Sequence, residues 1–122
     1  MNTILVLDDS PTMVMSLSRI LSKSGYTVET AANGKDGMDK LRAGMKPNLI
    51  LTDLNMPVMD GIAFIKEARK HTTTRFTPIV VLTTESVAGK RDEARTAGAS
   101  GWLTKPTQPD ELLATLKQLL HV

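Results

Sequence analysis

The sequence has no cysteine, which excludes disulfides and thiolate metal sites and suits a reducing compartment. It has only two histidines, His71 and His121. They share no ligand spacing and read as surface residues. No apolar stretch approaches the roughly 20 residues that a membrane helix needs. Met1-Asn2-Thr3 enters its first apolar run at once, without the basic start or small-residue cleavage site of a signal peptide. A cytoplasmic protein is therefore expected, with no membrane insertion. Charge of one sign is also scarce, since the formal net charge of +2 comes from dispersed lysines and arginines. Lys90, Arg91 and Arg95 come nearest to a cluster and read as a solvated helix face. No basic stripe or reading motif marks a nucleic-acid surface. The 122 residues suffice for one domain, residues 1–122, with a core that needs no staples.

Four short apolar runs each end in a chemically loaded residue. Thr3 to Leu7 meets Asp8-Asp9, and Leu49 to Thr52 meets Asp53. Ile79 to Leu82 meets Thr83-Thr84, and Gly101 to Thr104 meets Lys105-Pro106. As parallel strands of one sheet, these runs bring three carboxylates, a hydroxyl and an ammonium to one edge.

The intervening segments have helical spacing. Thr12 to Ser22 carries Val14, Leu17 and Leu21 on one face, with Ser10 as N-cap, Pro11 as first helical residue and Gly25 as terminator. Thr27 to Ala31 is short and β-branched, and Asn33-Gly34 breaks it. Lys35 to Arg42 is a short helix with Met38 and Leu41 inward, ended by Gly44. Asp60-Gly61 opens a third helix with Ile62, Ile65 and Ala68 on one face, and Thr72 to Thr74 is a polar connector. Val87 to Ala97 is a weaker helix closed by Gly98. Pro109 to Leu120 is the strongest, with Leu112, Leu113, Leu116, Leu119 and Leu120. Alternating strands and helices imply an α/β fold: a parallel sheet with helices on both faces. Right-handed crossovers permit two common doubly wound orders, and the five-strand version is 2-1-3-4-5, whose switch point lies between the first and third strands. Ligands bind outside the carboxyl ends at such a point, and these two strands end in the acids.

Taken singly, each of these residues has an ordinary explanation. Asp8-Asp9 before Ser-Pro suits a turn, Asp53 ends a strand, Lys105 precedes a turn and Thr83 is a β-branched strand residue. Asn55 and Glu85 read as loop residues that would flank a bound ligand. The seven methionines read as packing, with Met56 and Met59 also placed to line the rim of the acidic loop. Trp102 reads as core packing on an edge strand. Jointly the acids are harder to dismiss: two unit charges 4 Å apart cost about 4 kcal/mol at an effective dielectric of 20. A divalent cation or a raised pKa relieves such crowding. Oxygen ligands alone select a hard ion, Mg²⁺ before Ca²⁺, and Mg²⁺ recruits phosphate oxygens. Lys105 and Thr83 would serve those oxygens.

These residues, in this order, resemble the receiver domain of two-component response regulators. The resemblance rests on Asp8-Asp9, the Asp53-x-x-Met-Pro-x-Met-Asp-Gly segment, Thr83 and Lys105-Pro106, and covers essentially the whole chain. Thr83-Thr84-Glu85-Ser86 and Gly98 to Leu103 are most similar to single-domain, chemotaxis-type (CheY-like) regulators, and no output domain is expected after Val122. The resemblance implies the (βα)5 flavodoxin-like receiver fold. It makes Asp53 the nucleophile that takes a phosphoryl group from a histidine kinase phosphohistidine. Asp9, Asp53 and the Asn55 backbone carbonyl would bind Mg²⁺, with Asp8 acting through water. Lys105 would pair with the phosphoryl group, and Pro106 would follow a cis peptide bond. Thr83 and Trp102 would form the switch, with Asn55, Thr84 and Glu85 modulating rates. The chain departs from the family at Trp102 (commonly Tyr or Phe), at Thr84 (commonly smaller) and at Thr107 (frequently Phe).

The resulting expectation is a signalling switch rather than an enzyme in its own right, autocatalysing its phosphorylation and dephosphorylation. Its target would be a flagellar-motor switch or another protein, with a phosphatase as a further partner. The alternative is a phosphate sink or phosphorelay intermediate without a phosphorylation-dependent target. A flavodoxin-type cofactor site is excluded, because Asp8-Asp9-Ser10-Pro11 presents negative charge where a phosphate loop would be.

Overall fold

The computed structural model describes residues 2–85 and 88–120. Among these, five strands and five helices alternate. The strands are β1 (Thr3–Leu7), β2 (Thr27–Ala31), β3 (Leu49–Thr52), β4 (Ile79–Thr83) and β5 (Gly101–Thr104). The helices are α1 (Pro11–Lys23), α2 (Gly34–Arg42), α3 (Gly61–Lys70), α4 (Ala88–Ala97) and α5 (Pro109–Leu120). All pairings are parallel, in the order β2-β1-β3-β4-β5. This is the expected order, with its switch point between β1 and β3.

Successive strand side chains point to opposite faces, and each face of this sheet is covered. Leu5, Leu7, Ile50, Ile79 and Val81 pack beneath α2 and α3 with Met38, Leu41, Phe64 and Ile65. Ile4, Val6, Leu49, Leu51, Val80 and Leu82 pack beneath α1 and α5 with Leu17, Leu21, Leu112 and Leu116. Burial on both sides explains the near-continuous apolar runs of β1, β3 and β4.

Local details refine the sequence reading. Asn33 does more than break β2. Its side chain accepts the Asp36 N–H at 2.9 Å, so α2 begins at Gly34. The Thr72 to Thr74 connector is not simply polar surface, because Thr74 is fully buried and its hydroxyl donates to the Ala68 carbonyl at 2.6 Å. Met56 is buried in the core rather than set on a rim, and Met59 packs against the same cluster. His71 is half-buried, its N–H donating to the Ala68 carbonyl at the end of α3. Ser86, Val87 and His121 lie outside the described residues.

Candidate functional site

Strand register assembles the site. Leu7 lies opposite Thr52, and the Asp53 N–H donates to the Leu7 carbonyl at 2.9 Å, so Asp8 and Asp53 leave adjacent strands side by side. Thr83 lies opposite Thr104, and the Lys105 N–H donates to the Thr83 carbonyl at 2.8 Å. The loop beyond Asp53 is held close by Gly61. Its N–H donates to the Leu54 carbonyl at 2.8 Å, and a Cβ at that position would lie 2.3 Å from the Asp53 carbonyl oxygen. Only glycine permits that approach, which accounts for the Asp60-Gly61 pair. Asp60 caps α3, accepting the Ala63 N–H at 2.8 Å.

Carboxylate oxygens of Asp8, Asp9 and Asp53 all lie within 4.8 Å of one another. The Lys105 ammonium donates to Asp8 Oδ2 at 2.7 Å and to Asp53 Oδ2 at 3.1 Å. These side chains are 10% exposed for Lys105, 3% for Asp8 and 12% for Asp53. Backbone donors complete two of the acids: the Ser10 N–H donates to Asp8 Oδ1 at 2.9 Å, and the Leu54 N–H to Asp53 Oδ1 at 2.7 Å. Burial by itself would lower the Lys105 pKa. The hydrogen bonds and charges of Asp8 and Asp53 outweigh it, and the pKa is raised.

One ammonium among three carboxylates leaves a net negative centre. Asp9 is exposed, and a depression of about 160 Å³ beside Asp8, Asp9 and Pro11 leads to it. The oxygen-only donor set, its closeness and its surplus charge fit a small hard cation such as Mg²⁺. Thr83 is fully buried, and its Oγ1 accepts the Glu85 N–H at 3.2 Å. That bond uses an oxygen lone pair rather than the hydroxyl hydrogen. Asn55 and Thr84 are exposed and Glu85 is half-buried, all on the loops bordering the acids. The Lys105–Pro106 peptide bond is cis. Trp102 is half-buried, packs against the cluster beneath α2 and α3, and borders a cavity of about 180 Å³ shared with Arg91, Ala94 and Arg95 of α4.

A sequence profile of the response regulator receiver domain matches residues 4–117. The chain belongs to this family. It is 34% identical to protein PilH of Pseudomonas aeruginosa over 98% of both chains. Other curated receiver relatives are longer, and the chain spans about half their length. Among solved structures it resembles the chemotaxis protein CheY4 of Vibrio cholerae, with 41% identity, a TM-score of 0.92 and 98% of each chain covered. It also resembles the receiver domain of the sensor histidine kinase PA1611 of Pseudomonas aeruginosa, at 28% identity and a TM-score of 0.88, covering 99% of this chain and 98% of that one. The PA1611 receiver holds a magnesium ion in its active-site cleft. The chain is thus a response regulator receiver domain similar to PilH and CheY4, consistent with phosphorylation-activated signalling.

Sequence reasoning overlooked Arg69. Its guanidinium gathers the carbonyls of Thr74, Thr77 and Gly98, a role no motif or spacing signals. It also overlooked Val58, which adopts a φ of 69° and is exposed on the loop after Asp53.

Proposed function

We propose that the protein is a phosphorylation-operated signalling switch in which Asp53 accepts a phosphoryl group from a histidine kinase. The observation that carries this reading is the Lys105 ammonium held against both Asp8 and Asp53 at the sheet's switch point. A fixed cation beside a carboxylate nucleophile suits phosphoryl transfer, where positioning and charge neutralisation matter more than covalent assistance. An Asp53 carboxylate oxygen attacks phosphorus in line. The new O–P bond forms as the N–P bond of the donor phosphohistidine breaks, and the imidazole nitrogen keeps the electron pair and takes a proton from solvent. Asp9, Asp53 and the Asn55 backbone carbonyl would hold Mg²⁺, with Asp8 acting through water. When bound, Mg²⁺ supplies positive charge to the transferring oxygens. Lys105 pairs with one phosphoryl oxygen, and Thr83 turns its hydroxyl hydrogen to another. Water later attacks the phosphoryl group and releases phosphate, and Asn55, Thr84 and Glu85 border its approach.

The switch then runs from Thr83 to Trp102 and alters the face built by α4, β5 and α5. That face carries Lys90, Arg91 and Lys117 around Trp102, and all three basic residues are exposed. The likeness to a chemotaxis protein supports a protein target in chemotaxis, and the charge suits an acidic one. A cytoplasmic location fits a kinase-dependent role, and no helix among the described residues is long and apolar enough to cross a membrane. Incubation with Mg²⁺ and acetyl phosphate is expected to add one phosphoryl mass to the wild type and none to Asp53→Asn, with a change in Trp102 fluorescence in the wild type alone. A mass gain that survives Asp53→Asn overturns the assignment of the acceptor. A silent Trp102 removes that residue from the switch.

A further inference from the structure

Arg69, in the last turn of α3, donates hydrogen bonds in three directions. Nη1 reaches the carbonyls of Thr74 (2.9 Å), Thr77 (2.6 Å) and Arg75 (3.3 Å) in the loop leading to β4. Nε and Nη2 both reach the Gly98 carbonyl, at 3.0 and 2.8 Å, just beyond the end of α4. Nη2 also reaches Ser100 Oγ at 3.4 Å. Among the described residues no carboxylate pairs with this guanidinium, and its charge is met by backbone carbonyls of the loop before β4 and of Gly98 just beyond α4. Burial lowers its pKa, yet a guanidinium stays protonated.

The turn it grips is built around it. Gly98 has a φ of 123°, and a Cβ there would lie 2.8 Å from Arg69 Cγ. The Gly98 and Ala99 N–H groups both donate to the Ala94 carbonyl, closing α4. Ser100 then locks onto β4: its N–H donates to the Ile79 carbonyl at 2.7 Å, and its hydroxyl accepts the Ile79 N–H at 3.1 Å. Ala94 is fully buried, and among the described residues of α4 it is the sole buried one. Residues 88–93 are all exposed. The attachment of α4 is therefore concentrated at its C-terminal end.

We propose that Arg69 is a positioning residue that makes the α4–β5 turn the pivot of the switch. On this view, which rests on the phosphoacceptor reading above, rearrangement at Thr83 and Thr84 displaces the N-terminal half of α4. The C-terminal end and the start of β5 stay fixed. The helix swings instead of shifting as a whole, and the open cavity between Arg91, Ala94 and Trp102 gives the swing room. The planar fork is essential to the device, because an ammonium cannot span both loops at once.

Peptide-level hydrogen exchange tests this, with and without Mg²⁺ and beryllofluoride as a phosphoryl mimic. In the wild type the unmodified protein is expected to exchange quickly over residues 88–93 and slowly over 97–101. Beryllofluoride is expected to change the first segment and leave the second within about twofold. Arg69→Met and Arg69→Lys are expected to raise exchange over 97–101 by about tenfold and to spread the beryllofluoride response into it. Both variants should still gain one phosphoryl mass from acetyl phosphate. A wild-type response as strong over 97–101 as over 88–93, or variants with wild-type exchange over 97–101, overturns the pivot. Where Arg69→Met fails to fold, the wild-type gradient and Arg69→Lys decide the matter. Absence of any mass gain in the wild type overturns the phosphoacceptor reading instead, and the exchange of the unmodified proteins still decides whether Arg69 holds the turn.

Discussion

Helices α3 and α4 have ten residues each and lie on the same face of the sheet, yet they are attached in opposite ways. α3 buries Gly61, Ile62, Phe64, Ile65 and Ala68, starts on the Asp60 cap beside Asp53 and ends in the Arg69 clamp. α4 buries only Ala94 among its described residues and presents basic and acidic side chains to solvent. Buried apolar area sets what an element costs to move. The helix that starts beside Asp53, the proposed phosphoacceptor, is thus part of the framework, whereas the helix that would carry the output is free to respond.

The sharpest way to break this contrast is to remove matched anchors. Phe64→Ala should cost about 3–5 kcal/mol of unfolding free energy, as expected for a fully buried ring. Ala94→Gly should cost only about 1 kcal/mol. Urea denaturation measures both, and similar losses would show that α4 is as firmly held as α3. Mg²⁺ should strengthen the framework side by about 2.7 kcal/mol at a hundredfold excess over Kd. Thermal unfolding should show this gain in the wild type and not in Asp9→Asn. An equal gain in the variant would remove Asp9 from the cation site.

Lys105→Met should cost about 2 kcal/mol near pH 7, because it leaves Asp8 and Asp53 without their shared partner. The sign of its pH dependence follows from the raised pKa. The stabilisation is fully present below the ordinary lysine value of about 10.4 and is lost as pH rises through the higher folded value. Wild type and variant should therefore converge only above about pH 10.4. A difference that instead grows with alkalinity would contradict the pairing. The smallest effect concerns Thr107, whose Oγ1 is buried without a hydrogen-bond partner among the described residues, beside a cavity of about 200 Å³ lined by Met13, Leu17 and Leu112. Thr107→Val should stabilise by about 1 kcal/mol, read as a higher Tm, since it removes an unsatisfied hydroxyl at nearly constant shape.

Much of this architecture was readable because it rests on periodicity and strand ends. The apolar runs, Gly61, Asp60 and the loaded residues after each strand together imply the sheet order and place Asp8, Asp53, Thr83 and Lys105 at one edge. The contact of Lys105 with two acids was less accessible, since β4 lies between its strand and that of Asp53. Only its long stem and the β4–β5 register determine the reach. Arg69 was illegible for a different reason: its partners are backbone carbonyls, which every residue carries, so no residue type marks the clamp. The burial of Thr74 was hidden in the same way, by a backbone acceptor on Ala68.

The most direct test of the account is chemical localisation of the phosphoryl group. After incubation with Mg²⁺ and acetyl phosphate, borohydride reduction converts an aspartyl phosphate to homoserine, and peptide mass mapping finds its position. Homoserine is expected at position 53 alone. Homoserine at position 8 or 9, or none anywhere, would contradict it.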